Sequence, residues 1–172
     1  MASESLNFVI QGGKTLSGTI QTNSSKNSAV ALLCASLLNK SQTTLRNMPR
    51  IEEVNRILEV LNSIDVKTEW LNEKDLLITP PAEIKLDQID AAAAMRTRTV
   101  IMFLGPLIHL FKDFSIPQPG GCKLGERTVR PHLYALEKLG VQITAETNNY
   151  SVKVEHLQPA EIIMYESGDT TT

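Results

Sequence analysis

Two stretches of the chain read alike at an offset of 75 residues: Leu58-x-x-Leu61-x-x-Ile64-x-Val66 and Leu133-x-x-Leu136-x-x-Leu139-x-Val141. In each, an apolar stripe at helical spacing runs directly into a strand-like segment, the mark of a repeated supersecondary unit. The surrounding residues extend the pattern. The first copy predicts a strand over 16–22, a helix over 25–38 entered through the polar run Thr22-Asn23-Ser24-Ser25, a strand over 43–47, a helix over 51–64, and a hairpin of 66–70 and 75–79. The second predicts a helix over 91–112, a strand over 114–118, a helix over 129–139, and strands over 141–145 and 150–154. A third copy opens at 161–164. The fold class is therefore α/β, built from βαβαββ units.

Composition narrows the function classes. With 42% hydrophobic and 21% charged residues the chain reads as a folded soluble protein. A formal charge of -2 gives no overall attraction to nucleic acid, so anion binding must come from local cations. The start of the sequence has no basic leader ahead of an apolar core, and the apolar stretch 91–110 is broken by Arg96, Arg98, Gly105-Pro106 and His109. The expectation is a cytoplasmic protein without a membrane span. Cys34 and Cys122 are too few for a disulfide scaffold, and His109, His132 and His156 have no metal-ligand spacing. No metal and no cofactor are expected, and phosphate-binding, dinucleotide and serine-hydrolase motifs are missing.

Function is sought where the two copies differ. The second contains Arg96 and Arg98 within its first helical stretch and a Gly/Pro-rich insertion, 117–127, between strand and helix. Gly120, Gly121 and Gly125 give that insertion backbone freedom and Pro117 and Pro119 stiffen its entry, which predicts a loop able to open and close. Cys122, beside Lys123 and near Arg127, has a setting that lowers a thiol pKa and suits proton transfer. An incidental exposed cysteine in an ordinary loop is the competing reading. Lys26 lies at a helix start, where free N–H groups favour a phosphate or carboxylate, although plain capping by the serines is equally available. On one continuous helix Arg96 and Arg98 face opposite ways, and the small-residue run 91–94 favours Arg96 as the ligand-facing member. Arg127 and Arg130 stand at another helix entrance.

In order along the chain, Ser25-Lys26-Asn27-Ser28-Ala29, Met95-Arg96-Thr97, Leu104-Gly105-Pro106-Leu107, Pro119-Gly120-Gly121-Cys122-x-x-Gly125-x-Arg127-x-Val129 and Leu136-Glu137-x-Leu139-Gly140 resemble the enolpyruvyl transferases of the UDP-N-acetylglucosamine 1-carboxyvinyltransferase type. The resemblance implies an inside-out α/β barrel of βαβαββ units and transfer of the enolpyruvyl group of phosphoenolpyruvate to the 3′-hydroxyl of UDP-N-acetylglucosamine, with no cofactor. It implies that Cys122 is the proton donor and that Lys26, Asn27 and Arg127 hold phosphoenolpyruvate. It assigns Arg96, Arg127, Thr128, Val129, Arg130, Pro131 and Ser167 to the nucleotide sugar. Arg130 stands where the family has an aspartate. It further implies that residues 1–21 carry strands that join a second domain, and that 22–172 form an incomplete first domain with units at about 22–82 and 83–158 and a third begun at about 159. The chain alone is then expected to be inactive without the remaining domain, which supplies a base and a further arginine. The alternatives are the sister activity on shikimate 3-phosphate and a non-catalytic half-protein that binds an anion or a partner.

Overall fold

A helix that ends in a left-handed residue and drops into a strand occurs twice, and the two events organise the molecule. The computed structural model describes residues 9–120 and 128–164. Its elements are α1 (Lys26–Ala35), β1 (Thr43–Leu45), α2 (Glu52–Ser63), β2 (Lys67–Trp70), β3 (Leu76–Thr79), α3 (Ala91–Ala94), α4 (Leu104–Leu110), β4 (Asp113–Pro117), α5 (Arg130–Lys138), β5 (Val141–Ala145) and β6 (Asn149–Val154). Short 3-10 segments occupy Ser36–Leu38, Leu86–Gln88 and Arg98–Phe103.

The predicted repeat is present. Each copy forms a three-stranded antiparallel sheet with the same order, β1-β3-β2 and β4-β6-β5, so the last strand of each copy is central. The equivalence reaches single hydrogen bonds. Asp65 and Gly140, 75 residues apart, both have positive φ, 72° and 93°, and their N–H groups donate to Asn62 and Glu137 one helical turn back. The carbonyls of the residues just before them, Ile64 and Leu139, would otherwise be orphaned at a helix end. They accept instead from the chain returning after the hairpin, Lys85 N–H at 3.3 Å and Gln158 N–H at 3.0 Å.

α1, α2, α3, α4 and the 3-10 segment Arg98–Phe103 pack against one another. Leu33, Val54, Ile57, Val60, Leu61, Phe103, Leu104 and Leu107 lie fully buried there. The strands turn alternate residues inward, Leu76 and Ile78 on β3 and Tyr150, Val152 and Val154 on β6, as one-sided sheets require. Cys34 belongs to this interior, and burial pushes its thiol up to about 12. Cys34 is therefore expected to stay unmodified by a thiol reagent in the native chain and to react once urea unfolds it, as mass spectrometry of the labelled peptide will report.

Two expectations are corrected. Residues 9–25 contain no strand, so the strand expected over 16–22 is not formed. No strand of the described chain lies alongside to take their hydrogen bonds, and Val9 and Leu16 are each 91% exposed. Residues 161–164 are likewise irregular. The single helix predicted over 91–112 is broken. Its first piece is only α3, capped by the Asp90 carboxylate accepting from Ala93 N–H at 3.0 Å. Thr97 then turns extended, with φ -135° and ψ 133°, and its hydroxyl accepts from Thr99 N–H at 3.1 Å. A threonine that caps a new segment in this way competes with continuation of the old helix.

Candidate active site

The break at residues 95–99 is where the candidate site assembles. α1 begins beside it because Ser25 adopts an extended conformation and its hydroxyl accepts from Ser28 N–H at 3.3 Å. That leaves Lys26 and Asn27 in the first turn, both exposed, where helix N–H groups and the helix dipole favour anions. Lys26 Nζ lies 2.6 Å from Oε2 of Glu53, which projects from the first turn of α2. The other oxygen of the same carboxylate accepts from the hydroxyls of Thr97, at 3.4 Å, and Thr99. Partial burial opposes the Glu53 charge. Hydrogen bonds from Lys26 and Thr99, the Lys26 charge and a weaker bond from Thr97 outweigh it and hold the carboxyl below its ordinary range.

The same break holds both described flanks of the cysteine insertion. Gly120 packs so closely on it that a Cβ at that position would lie 1.5 Å from the carbonyl oxygen of Met95, an approach open only to glycine. On the far side, an Nη of Arg98 donates to the carbonyl of Thr128 at 2.8 Å, and the Thr128 hydroxyl accepts from Arg130 N–H at 3.1 Å. The Nε of Arg98 is buried with no hydrogen-bond acceptor among the described residues. α5 starts at Arg130, exposed, with Pro131 buried in its first turn and Val129 half-buried before it.

Of the residues predicted for the site, Lys26 is thus joined through Glu53 to the turn that carries Arg96, while Thr128, Val129, Arg130 and Pro131 attach to that turn through Arg98. Asn27 lies next to Lys26 at the helix start. Cys122, Arg127 and Ser167 fall outside the described residues. Arg96 is exposed, whereas Arg98 is half-buried and bonded to the Thr128 carbonyl, and the two do not share one continuous helix because it breaks at Thr97. Sequence reasoning misses Glu53, Thr97 and Thr99. An acid in a first turn ordinarily reads as a complement to the helix dipole, and only the tertiary fold brings it to Lys26.

The described chain thus has the repeated architecture of an α/β protein, with Lys26 at the exposed start of α1. The family described as EPSP synthase (3-phosphoshikimate 1-carboxyvinyltransferase) matches residues 10–168, and the chain belongs to it. Among solved structures, the enolpyruvyl transferase NikO from Streptomyces tendae superposes with a TM-score of 0.70 at 17% identity, covering 86% of this chain and 32% of that one. An EPSP synthase from Acinetobacter baumannii superposes with a TM-score of 0.60 at 14% identity, covering 89% and 36%. The fold is that of the enolpyruvyl transferases. By sequence, the chain is 32% identical over 97% of its length to the UDP-N-acetylglucosamine 1-carboxyvinyltransferase of Bradyrhizobium diazoefficiens. It is 35% identical over 90% of its length to UDP-N-acetylglucosamine 1-carboxyvinyltransferase 3 of Caldanaerobacter subterraneus. The chain spans 38% and 37% of the lengths of these two relatives. No helix among the described residues is long and apolar enough to cross a membrane.

Proposed function

We propose that this chain supplies the phosphoenolpyruvate-gripping part, and the proton donor, of an enzyme that transfers the enolpyruvyl group of phosphoenolpyruvate to the 3′-hydroxyl of UDP-N-acetylglucosamine. Phosphate is released, and the product is committed to peptidoglycan. The reaction takes place in the cytoplasm and needs a second domain for its base. Lys26, Asn27 and Arg127 hold phosphoenolpyruvate. Arg96, Arg127, Thr128, Val129, Arg130, Pro131 and Ser167 form the nucleotide-sugar side. Cys122 delivers a proton to the methylene carbon while the sugar oxygen bonds to the neighbouring carbon, and loss of phosphate with a proton restores the double bond. The cations offset the mutual repulsion of two anionic substrates and fix their approach.

One observation carries this reading. The turn at 95–99 is tied to Lys26 through Glu53, to Gly120 by direct packing, and to Thr128 through Arg98. Both described flanks of the Cys122 insertion therefore sit on the turn that bears Arg96 and meets the phosphate-binding helix start. The names of the curated relatives support the sugar nucleotide as acceptor. The second acceptor, shikimate 3-phosphate, is suggested by the description of the family alone.

The test is phosphate release from phosphoenolpyruvate by the chain joined to its second domain, with each acceptor in turn. Release is expected only with UDP-N-acetylglucosamine, and Cys122→Ala is expected to lower it by about 100-fold or more, the usual contribution of a positioned acid. Equal release with shikimate 3-phosphate, or none with either acceptor, overturns the assignment.

A further inference from the structure

A carboxylate within reach of a phosphate-binding lysine repels the very ligand the lysine attracts, so its presence calls for a compensating role. Glu52 and Glu53 are neighbours in the first turn of α2, and a contribution to the helix dipole would account for both equally. They behave differently. Glu52 turns outward to Arg56, at 2.7 Å on its own helix. Glu53 turns inward and accepts from Lys26 on α1 and from Thr97 and Thr99 on the break between α3 and the following 3-10 segment. Thr97, one of two buried polar residues in the described interior, passes the contact on, because its hydroxyl also accepts the Thr99 N–H. One carboxylate thus joins three segments of chain that are distant in sequence.

We infer that Glu53 is a positioning residue that holds the Lys26 ammonium and the Arg96-bearing turn in fixed mutual placement for an anionic substrate. Its own charge is spent on the three donors it orients, Lys26, Thr97 and Thr99. The choice of phosphoenolpyruvate as that ligand rests on the proposed function; the placement of Lys26 and the turn does not. The carboxylate carries out no bond-making step, and its removal acts through Lys26 and Thr97.

Three variants of the chain test this: Glu53→Gln, which keeps the shape and loses the charge, Glu53→Ala, which loses both, and Glu53→Asp, which keeps the charge. Two readouts are local. Acetic anhydride labelling of Lys26, followed by mass spectrometry, is expected to rise about 3-fold in Glu53→Gln, as befits loss of one partly exposed pair. Amide exchange at Thr99 is expected to rise about 10-fold in Glu53→Ala, the effect of losing about one hydrogen bond. Exchange at the remote, fully buried Val152 should be unchanged, which separates a local effect from unfolding. The third readout, taken on the chain joined to its second domain, is phosphoenolpyruvate affinity by calorimetry, expected to fall about 10-fold in Glu53→Gln and to return to within about 3-fold of the parent in Glu53→Asp. Unchanged labelling and unchanged Thr99 exchange in both Glu53→Gln and Glu53→Ala overturn the inference. So does an unchanged phosphoenolpyruvate affinity when the local readouts move. If the parent chain joined to its second domain fails to bind phosphoenolpyruvate while both local readouts respond and Glu53→Asp restores them, the placement role stands and the substrate assignment is what falls.

Discussion

Replacing Phe103 by alanine is expected to destabilise the chain by about 3–5 kcal/mol, the range for deleting a fully buried aromatic side chain. Phe103 is 1% exposed and closes the 3-10 segment Arg98–Phe103, which packs on α1, α2 and α4. The segment contacts three helices at once, so the space left by the ring is not closed by moving one of them alone. For a chain of this size the loss corresponds to a drop in melting temperature of about 10 °C, measurable by circular dichroism. Phe111 is the natural comparison. It is only half-buried, stacks at a tilt on Phe114 with ring centroids 6.1 Å apart, and its truncation should cost clearly less. An equal drop for the two variants would mean that the core is not centred where the helices meet.

The second large effect is expected at Gly140. Its φ of 93° disfavours any side chain, and an added Cβ would lie 2.3 Å from the carbonyl oxygen of His156. The backbone conformation alone costs about 1–3 kcal/mol for a non-glycine residue. The clash adds to that, since His156 cannot retreat without pulling on the bond from Gln158 N–H to Leu139. Gly140→Ala should therefore lower the urea midpoint with an unchanged slope, and should raise amide exchange first in β5, which starts at the next residue. At the equivalent position of the first copy, Asp65 already carries a side chain and pairs with Lys85 at 2.9 Å. Asp65→Ala removes an exposed, solvent-screened ion pair and should lower the midpoint far less. Similar losses at the two sites would show that the close contact with His156 is unimportant.

Elements whose stabilising contacts are close in sequence are legible from the residue pattern alone. α2 and α5 announce themselves through apolar stripes, and β2, β3, β5 and β6 through alternation between turns, within a residue or two of where they form. The elements that the pattern misplaces share a cause. The stretch 91–112 is apolar enough for one helix, and nothing in its periodicity says that the Thr97 hydroxyl will be drawn to a carboxylate 44 residues earlier. The segment 16–22 has the composition of a strand but no partner for it in the described chain, and strand formation is decided by pairing rather than by propensity. In the site, Lys26 is readable from its place at a helix start. Glu53 is not, since its role exists only after α1, α2 and the break have packed. The bond from Arg98 to the Thr128 carbonyl is equally hidden, since it needs the helix to break at Thr97.

The returning bonds from Lys85 to Ile64 and from Gln158 to Leu139 also bear on how the molecule assembles. Each spans only about twenty residues, so the entropy of closing the ring is small and every copy latches onto itself. During synthesis the earlier copy can reach its latched form while the later one is still emerging. The Arg96-bearing turn, which needs α2 in place, is then built against a finished wall instead of a fluctuating one.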